Sequence, residues 1–447
     1  MKERSNISQE ILYQMPRLFV LKVIHSFWFI PSLLAGASVL TSILLQSADR
    51  WLELEPSGSL SWLFTSSADG ARSLLSTIAG SIITVTGVLL SAIIVVMTLA
   101  SQQYGPRLVQ NFINDRVGQI VIGCFVGCFV YSVLTLKSIQ SGEIIFLPHL
   151  SILGALLYSL LCIALLIFFV QHLASSIQVQ SIMRRVSLNL NAEIDHLFPE
   201  ALGHEPSDDV SQSKTDSKKA AVSTEIKAHR SGYLQSIDYD QLMNLSKVNE
   251  FVIHLKAMPG EFLIHQATIA ELETKAAVEE PQETLKGCFI IGTYPTCDQD
   301  VLFPIRQLSE IAIRALSPGI NDPHTAIEAI DYLASSLAQL INRDWPSQYR
   351  YDSDQALRIT TRSPSFETIL RQAYQQIHHY GLRDVTIVTR LLEVLATIAA
   401  QNTTATERIA VIRSFAHEIC EKSSSTIEAQ SDITAIKKTY HSCFPNN

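Results

Sequence analysis

The sequence predicts a membrane all-α bundle of four transmembrane helices followed by a cytoplasmic α+β domain, which joins a small β-rich module to a helical bundle. Three observations carry this reading. Four long charge-free runs fill the first 183 residues. A polar stretch without aromatics comes next. Beyond it the apolar residues alternate with period two and then settle into helical spacing.

A charged side chain at the centre of a span costs about 2.5–3.5 kcal/mol, so charge-free length is a direct ruler. Lys22 to Asp49 encloses 26 uncharged residues, Arg72 to Arg107 34, Arg116 to Lys137 20, and Glu143 to Arg184 40. Each run supplies the ~20 residues that a spanning helix needs. The spacing predicts helices at about residues 23–46, 73–101, 118–136 and 146–172, within a transmembrane domain over 1–185. The first run has an alternative reading as a signal peptide, with Ala35, Gly36 and Ala37 near a cleavage site. Its apolar stretch continues to Leu45, longer than a signal core.

Eight positive residues, Lys2, Arg4, Arg17, Lys22, Arg107, Arg116, Arg184 and Arg185, fall on one side of these spans; Arg50, Arg72 and Lys137 fall on the other. The positive-inside rule then puts both termini, and everything after the fourth span, in the cytoplasm. Through Met183 the chain carries 9 Lys+Arg and 8 Asp+Glu; the remainder carries 25 and 34. So acidic a C-terminal half excludes nucleic acid as a partner. Seven cysteines are scattered, Cys124, Cys128 and Cys162 inside apolar runs, without the paired spacing of a zinc ribbon.

The second run is the most patterned. Ser73, Thr77, Gly80, Thr84, Gly87, Ser91 and Thr98 recur at steps of 4, 3, 4, 3, 4 and 7, a seam of small and weakly polar residues down one helix face. Three uses fit such a seam: close helix packing within one subunit, a homo-oligomer interface, or the lining of a narrow pore. The run is also too long, since 34 helical residues extend ~50 Å against a ~30 Å hydrocarbon core. Its end, SQQYGPRL, is expected to project into the cytoplasm before Gly105-Pro106 breaks it. Gly123 and Gly127 in the third run form a GxxxG pair suited to close packing. With no Asp, Glu, Lys or Arg in the middle of any run, proton relays and ion-coupled transport lose weight.

Residues 200–230 read as a flexible linker. A β-rich module over 231–300 follows, with strands in GYLQSI, FVIHLKA, EFLI, IAELE and CFIIGT, and a helix in YDQLMNLSKVNE. MPGEF places Pro259 and Gly260 for a hairpin turn. The order resembles barrel-sandwich domains that carry lipoyl or biotinyl groups, but the lysine between two methionines is missing, so no cofactor is expected. Residues 301–447 read as mainly helical. Leu302, Ile305, Leu308, Ala312 and Leu316 stripe the first helix, and Arg306, Glu310 and Arg314 lie on another face. The next helix runs from Pro323 to about Ile341. A strand-like ALRIT precedes a helix ending at Gly381 as its C-cap, and three more helices complete the chain.

Phosphate loops, HExxH and GxSxG are missing, so catalytic, cofactor-binding and metal residues are all expected to be none. His378 and His379, adjacent on a helix, diverge by about 100° and are expected to be exposed.

ALSPGINDPHTA, residues 315–326, is the most idiosyncratic string. Pro318 and Gly319 stop one helix, Gly319 supplying the reversed backbone, while Asp322 caps the next and Pro323 takes its first position. As a ligand corner, the amides near His324 and Thr325 would hold an anion. Alternatively, Asn321 and Asp322 would meet a neighbouring subunit.

These strings together resemble a bacterial family of predicted membrane proteins, domain of unknown function 2254. The resemblance rests on SQQYGPRLVQNFINDRVGQIVIGCFVGCFVYSV, IQV, GYLQSID, MPGEF, the Gln299-Asp300 pair and IRQLSEIAIRALSPGINDPHTA. It implies a multi-pass protein of the bacterial inner membrane and no settled activity. Family members tend to carry Arg-Thr where this chain has Pro295-Thr296, so any contact of that arginine is lost here. The expected function is an oligomeric channel or passive transport protein with a cytoplasmic regulatory domain, its partners the lipid bilayer and further copies of itself. The alternative is a membrane-anchored sensor or scaffold whose cytoplasmic domain binds a ligand or partner protein. An enzyme is not expected.

Overall fold

The computed structural model describes residues 28–52, 67–104, 115–139, 147–176, 178–198, 222–274, 282–401 and 405–445. The chain divides into two compact units, Met1–Gln178 and Val179–Asn447.

The first unit holds α1 (Phe29–Leu52), α2 (Ala68–Tyr104), α3 (Arg116–Ser138) and α4 (His149–Ser176). All four are long and apolar enough to cross a membrane. The residues named for signal cleavage, Ala35 to Ala37, sit within the unbroken helix α1. α2 is longer than expected at 37 residues, about 55 Å at 1.5 Å per residue. The break proposed at Gly105-Pro106 lies outside the described residues.

α3 is the centre of this unit, packing against α1, α2 and α4 and burying Val121, Phe125, Cys128 and Tyr131. Its GxxxG pair does what that spacing requires. A Cβ at Gly123 would come within 2.7 Å of Leu34 Cδ1 and 3.0 Å of Pro31 Cα, and one at Gly127 within 2.5 Å of the Tyr158 hydroxyl. Backbones that close need glycine. Charges stay at the helix ends. Asp49 accepts from the Leu150 and Ser151 amides (2.7 and 3.0 Å), laying a carboxylate on the N-terminus of α4. Asp115 caps α3 by accepting from Gly118 N and meets His172 Nε2 at 2.9 Å.

The second unit begins with α5 (Val179–Leu197), which sequence reading missed; the boundary expected at residue 185 cuts through it. Ile182, Met183, Val186, Leu190 and Ile194 form its buried stripe. Residues 200–221 of the expected linker lie outside the described residues. The linker's end, however, is not loop: β1 (Val222–Lys227) occupies it.

The strand strings behave as alternation predicts. β2 (Gly232–Ile237), β3 (Val252–Leu255), β4 (Phe262–Leu263) and β6 (Phe289–Gly292) fall within them, and β5 (Thr268–Thr274) outruns its string by one residue at each end, with α6 (Tyr239–Val248) and α7 (Gln282–Gly287) between. They form two sheets with one shared core, in which Ile226, Ile253 and Leu272 from one meet Leu234, Leu263 and Phe289 from the other.

Two pairings differ from expectation. MPGEF is not a hairpin turn, because β3 belongs to the five-stranded sheet and β4 pairs with β2 in the three-stranded one; the segment carries the chain between sheets. The module also does not end at residue 300. β7 (Tyr349–Tyr351) and β8 (Leu357–Thr360) complete the larger sheet, with β8 pairing β3 in parallel at Ile253–Ile359 and order β1-β5-β3-β8-β7.

The remaining helices are α8 (Leu302–Ala315), α9 (Pro323–Leu340), α10 (Phe366–Gly381), α11 (Val385–Ala400), α12 (Thr406–Thr426) and α13 (Gln430–Cys443). α8 is buried more broadly than the predicted stripe, adding Phe303, Gln307, Ser309 and Ile311. α5 packs on α8 and α9. Gly381 is not a left-handed C-cap. It is glycine because a Cβ there would come within 2.6 Å of Ile387 Cγ2. His378 is buried, not exposed, with Nε2 3.1 Å from Ser423 Oγ. Burial, reinforced by nearby Lys422, pushes its pKa down to about 4.

Candidate functional site

The seam on α2 is the first candidate. All seven residues, Ser73, Thr77, Gly80, Thr84, Gly87, Ser91 and Thr98, are exposed on the chain. The buried face of the helix is Ala71, Leu75, Ala79, Ile82, Thr86, Leu89, Val96 and Ala100. At 100° per residue the two sets centre on opposite sides of the helix. Among the described residues the seam does not pack within its own chain: α3 and α4 take the bulkier face, and a Cβ at Gly80 or Gly87 would touch nothing within 4 Å.

Four of the five seam hydroxyls are spoken for as donors. Thr77, Thr84, Ser91 and Thr98 each donate to the carbonyl four residues back, at 2.7–3.0 Å. That arrangement hides the hydroxyl hydrogens in the helix and leaves oxygen lone pairs facing outward.

The SPGINDP corner is built differently from its prediction. The left-handed residue is Asn321, at φ 49°, not Gly319. The Asn321 amide donates to Ser317 O (2.9 Å) and the Asp322 amide to Ala315 O (2.8 Å), closing the end of α8. Asp322 is the N-cap of α9, accepting from Thr325 N at 3.2 Å and from Thr325 Oγ1 at 2.7 Å. Those Thr325 bonds hold its carboxyl below the usual carboxylate range. An anion at this helix start would have to displace Asp322, so the anion-holding reading fails on geometry. Pro323 takes the first helical turn, and Pro318, Gly319 and Asn321 are exposed.

A second site emerges where the scattered strings converge. Gln299, left-handed at φ 56°, turns its amide onto the edge of β2, accepting from Ile237 N at 3.0 Å and donating to Ile237 O at 3.1 Å. Next to it Asp300 is buried, accepting from Leu302 N (2.8 Å) at the start of α8 and from Arg306 Nη2 (3.2 Å). Burial pushes the Asp300 carboxyl up, with Arg306 pulling against it. Arg306 thus serves Asp300 rather than a ladder along its own helix. Gly260 of MPGEF lies against this carboxylate at φ 90° and donates its amide to Leu234 O at 2.8 Å. So GYLQSID, MPGEF, Gln299-Asp300 and IRQLSE lock together.

Beside this junction runs a cleft of about 110 Å³, bordered by Phe198, Tyr239, Met258, Gln299, Arg350 and Arg362 among others. In the preceding loop, where Pro295 replaces the arginine that the resemblance implies, Thr296 Oγ1 is buried without a hydrogen-bond partner among the described residues, as is Glu193 Oε2 on α5. Burial pushes the Glu193 carboxyl up. Among the described residues no group of three His, Cys, Asp or Glu side chains is placed to hold a metal.

Four apolar membrane-length helices followed by an α+β unit define a multi-pass membrane protein with a substantial C-terminal domain. The comparisons narrow this. The family of predicted membrane proteins known as DUF2254 matches residues 24–397, and this chain belongs to it. Two uncharacterised mycobacterial proteins, Mb1321c of Mycobacterium bovis and Rv1290c of Mycobacterium tuberculosis, are each 30% identical over 358 residues, covering 78% of this chain and 67% of theirs. No solved structure matches.

Proposed function

We propose that the protein is a homo-oligomeric passive channel or transport protein of the bacterial inner membrane, with both termini cytoplasmic and the C-terminal unit regulating it. One observation carries the reading: the α2 seam is exposed and opposite the face that packs in its own chain. Seven small residues in heptad spacing allow another helix to approach closely. If copies leave a gap instead, outward hydroxyl oxygens would line a path that wets without a fixed charge. Ile83, Val88 and Val95 flank the seam and are also exposed, so each copy offers a small-residue groove between larger ridges.

The test has two arms. Gly80→Cys and Gly87→Cys, placed on the seam, should cross-link copies in native membranes, whereas cysteine at the lipid-facing Leu161 of α4 should not. Purified protein in liposomes should then pass small ions, and Gly87→Leu should block the flux. Strictly monomeric protein, or no flux under voltage or tension, refutes the pore. In that case a membrane-anchored sensor or scaffold is favoured by the cleft of the C-terminal unit. No catalytic role is proposed.

A further inference from the structure

We propose that the cleft beside Gln299-Asp300 binds a small organic carboxylate, an oxyanion carried on a short apolar body. This stands whether or not the membrane half conducts.

The cleft is two-faced. Phe198, Met258, Pro259, Val301, Pro346 and Pro364 give it an apolar floor. Arg350 and Arg362 border it as cations, and neither has a carboxylate partner among the described residues. Some of the unit's other arginines do have one. In this acid-rich half Arg306, Arg343, Arg358, Arg371 and Arg390 each hold an Asp or Glu. Arg362 donates one Nη1 bond to Lys256 O and keeps its other donors. The one acid on the lining, Asp300, is already answered by Arg306 and the Leu302 amide, so it does not cancel the two arginines. Ser363 and Tyr239, also on the lining, have no hydrogen-bond partner for their hydroxyls among the described residues. Four donor side chains therefore border an apolar floor, and of these only Arg362 has an acceptor in the chain among the described residues, Lys256 O.

The walls are fixed before a ligand arrives. Gln299 is tied at both ends of its amide to Ile237. Trp345 donates Nε1–H to Pro364 O at 3.0 Å, packs on Phe198 with ring centroids 4.7 Å apart, and lies under the Arg408 guanidinium. Preorganised walls lower the cost of binding. Size sets the ligand. A void of roughly 150 Å³ takes the six carbons of benzene, so a cleft of about 110 Å³ encloses roughly four carbons, with a longer body reaching out of its open mouth and the carboxylate at the arginines. A bidentate guanidinium–carboxylate pair is the expected contact. A bare inorganic anion would leave the apolar floor unused.

The test uses the full-length protein in detergent, with isothermal calorimetry and tryptophan fluorescence as readouts, the latter compared with a Trp345→Phe control. The probes are butyrate, benzoate, neutral benzamide and inorganic phosphate. Butyrate or benzoate should bind saturably, at least tenfold more tightly than benzamide and phosphate. Arg362→Gln should weaken that binding at least tenfold and Arg350→Gln should weaken it also, while Arg362→Lys should keep part of it and report on folding. The proposal is overturned if benzamide or phosphate matches the carboxylates, if both glutamine variants bind unchanged, or if none of the four probes saturates.

Discussion

Gly260→Ala should destabilise the C-terminal unit by roughly 2–5 kcal/mol, and removing Asp300 should rescue part of that loss. Two costs add at this residue. Its φ of 90° is a conformation that an L-residue enters at roughly 1–2 kcal/mol. The new Cβ would also fall on the Asp300 carboxylate, 2.5 Å from Cγ, an overpacking of roughly 1–3 kcal/mol. Asp300→Ala alone removes the acceptor of Leu302 N, costing about 1 kcal/mol as a lost cap, while Arg306, 30% exposed, can turn to water. In the Asp300→Ala background only the backbone cost of Gly260→Ala remains, so the pair should couple by about 1–3 kcal/mol. Amide hydrogen exchange over residues 232–263 in the full-length protein, read against urea, isolates the local effect. If the two substitutions add to within about 0.5 kcal/mol, the packing of Gly260 on Asp300 is not what holds the strings together.

Asp322→Ala should lower stability by ~1 kcal/mol near neutral pH, seen as a shifted urea midpoint. Because the native carboxyl lies below its ordinary value, its contribution is complete above the unfolded pKa and is lost as pH falls through the folded one, so the deficit should shrink in acid. A deficit that is constant with pH would refute the cap as an ionised acceptor. His378 works the other way round. With a folded pKa of about 4 against an unfolded ~6.5, the unfolded chain takes a proton that the native one refuses. Stability should thus be full above pH 6.5 and fall by up to about 3 kcal/mol towards pH 4. His378→Gln should flatten that slope in pH-dependent melts, and an unchanged slope would move the effect elsewhere.

The spans were legible because charge exclusion from hydrocarbon is a local property of sequence; so were β2 and α9, whose alternation and Asp-Pro start are written within a few residues. What was hidden depended on partners far along the chain. α5 carries two arginines and several polar residues, and its buried stripe makes sense only against α8 and α9. MPGEF looked like a hairpin because Pro-Gly fits one, yet strand pairing placed its two flanks in different sheets. At the corner, glycine was the default choice for a left-handed residue, and Asn321 took the role. The cleft could not be read at all, since Phe198, Tyr239, Gln299 and Arg362 share no pattern until the fold brings them together. The distinctive strings did carry a signal, because four of them meet at Asp300.

The parallel pairing of β3 with β8 has a consequence measured in time. Ile253 leaves the ribosome 106 residues before Ile359, its partner in the sheet. At roughly 5–20 residues per second, β3 waits about 5–20 s with one edge unpaired, while the membrane helices ahead of it are already synthesised. During that interval a strand edge offers its hydrogen bonds to any extended chain nearby. Shortening the wait, through a permuted chain in which β7 and β8 are synthesised directly after β3, should therefore raise the yield of soluble C-terminal unit without changing its final contacts.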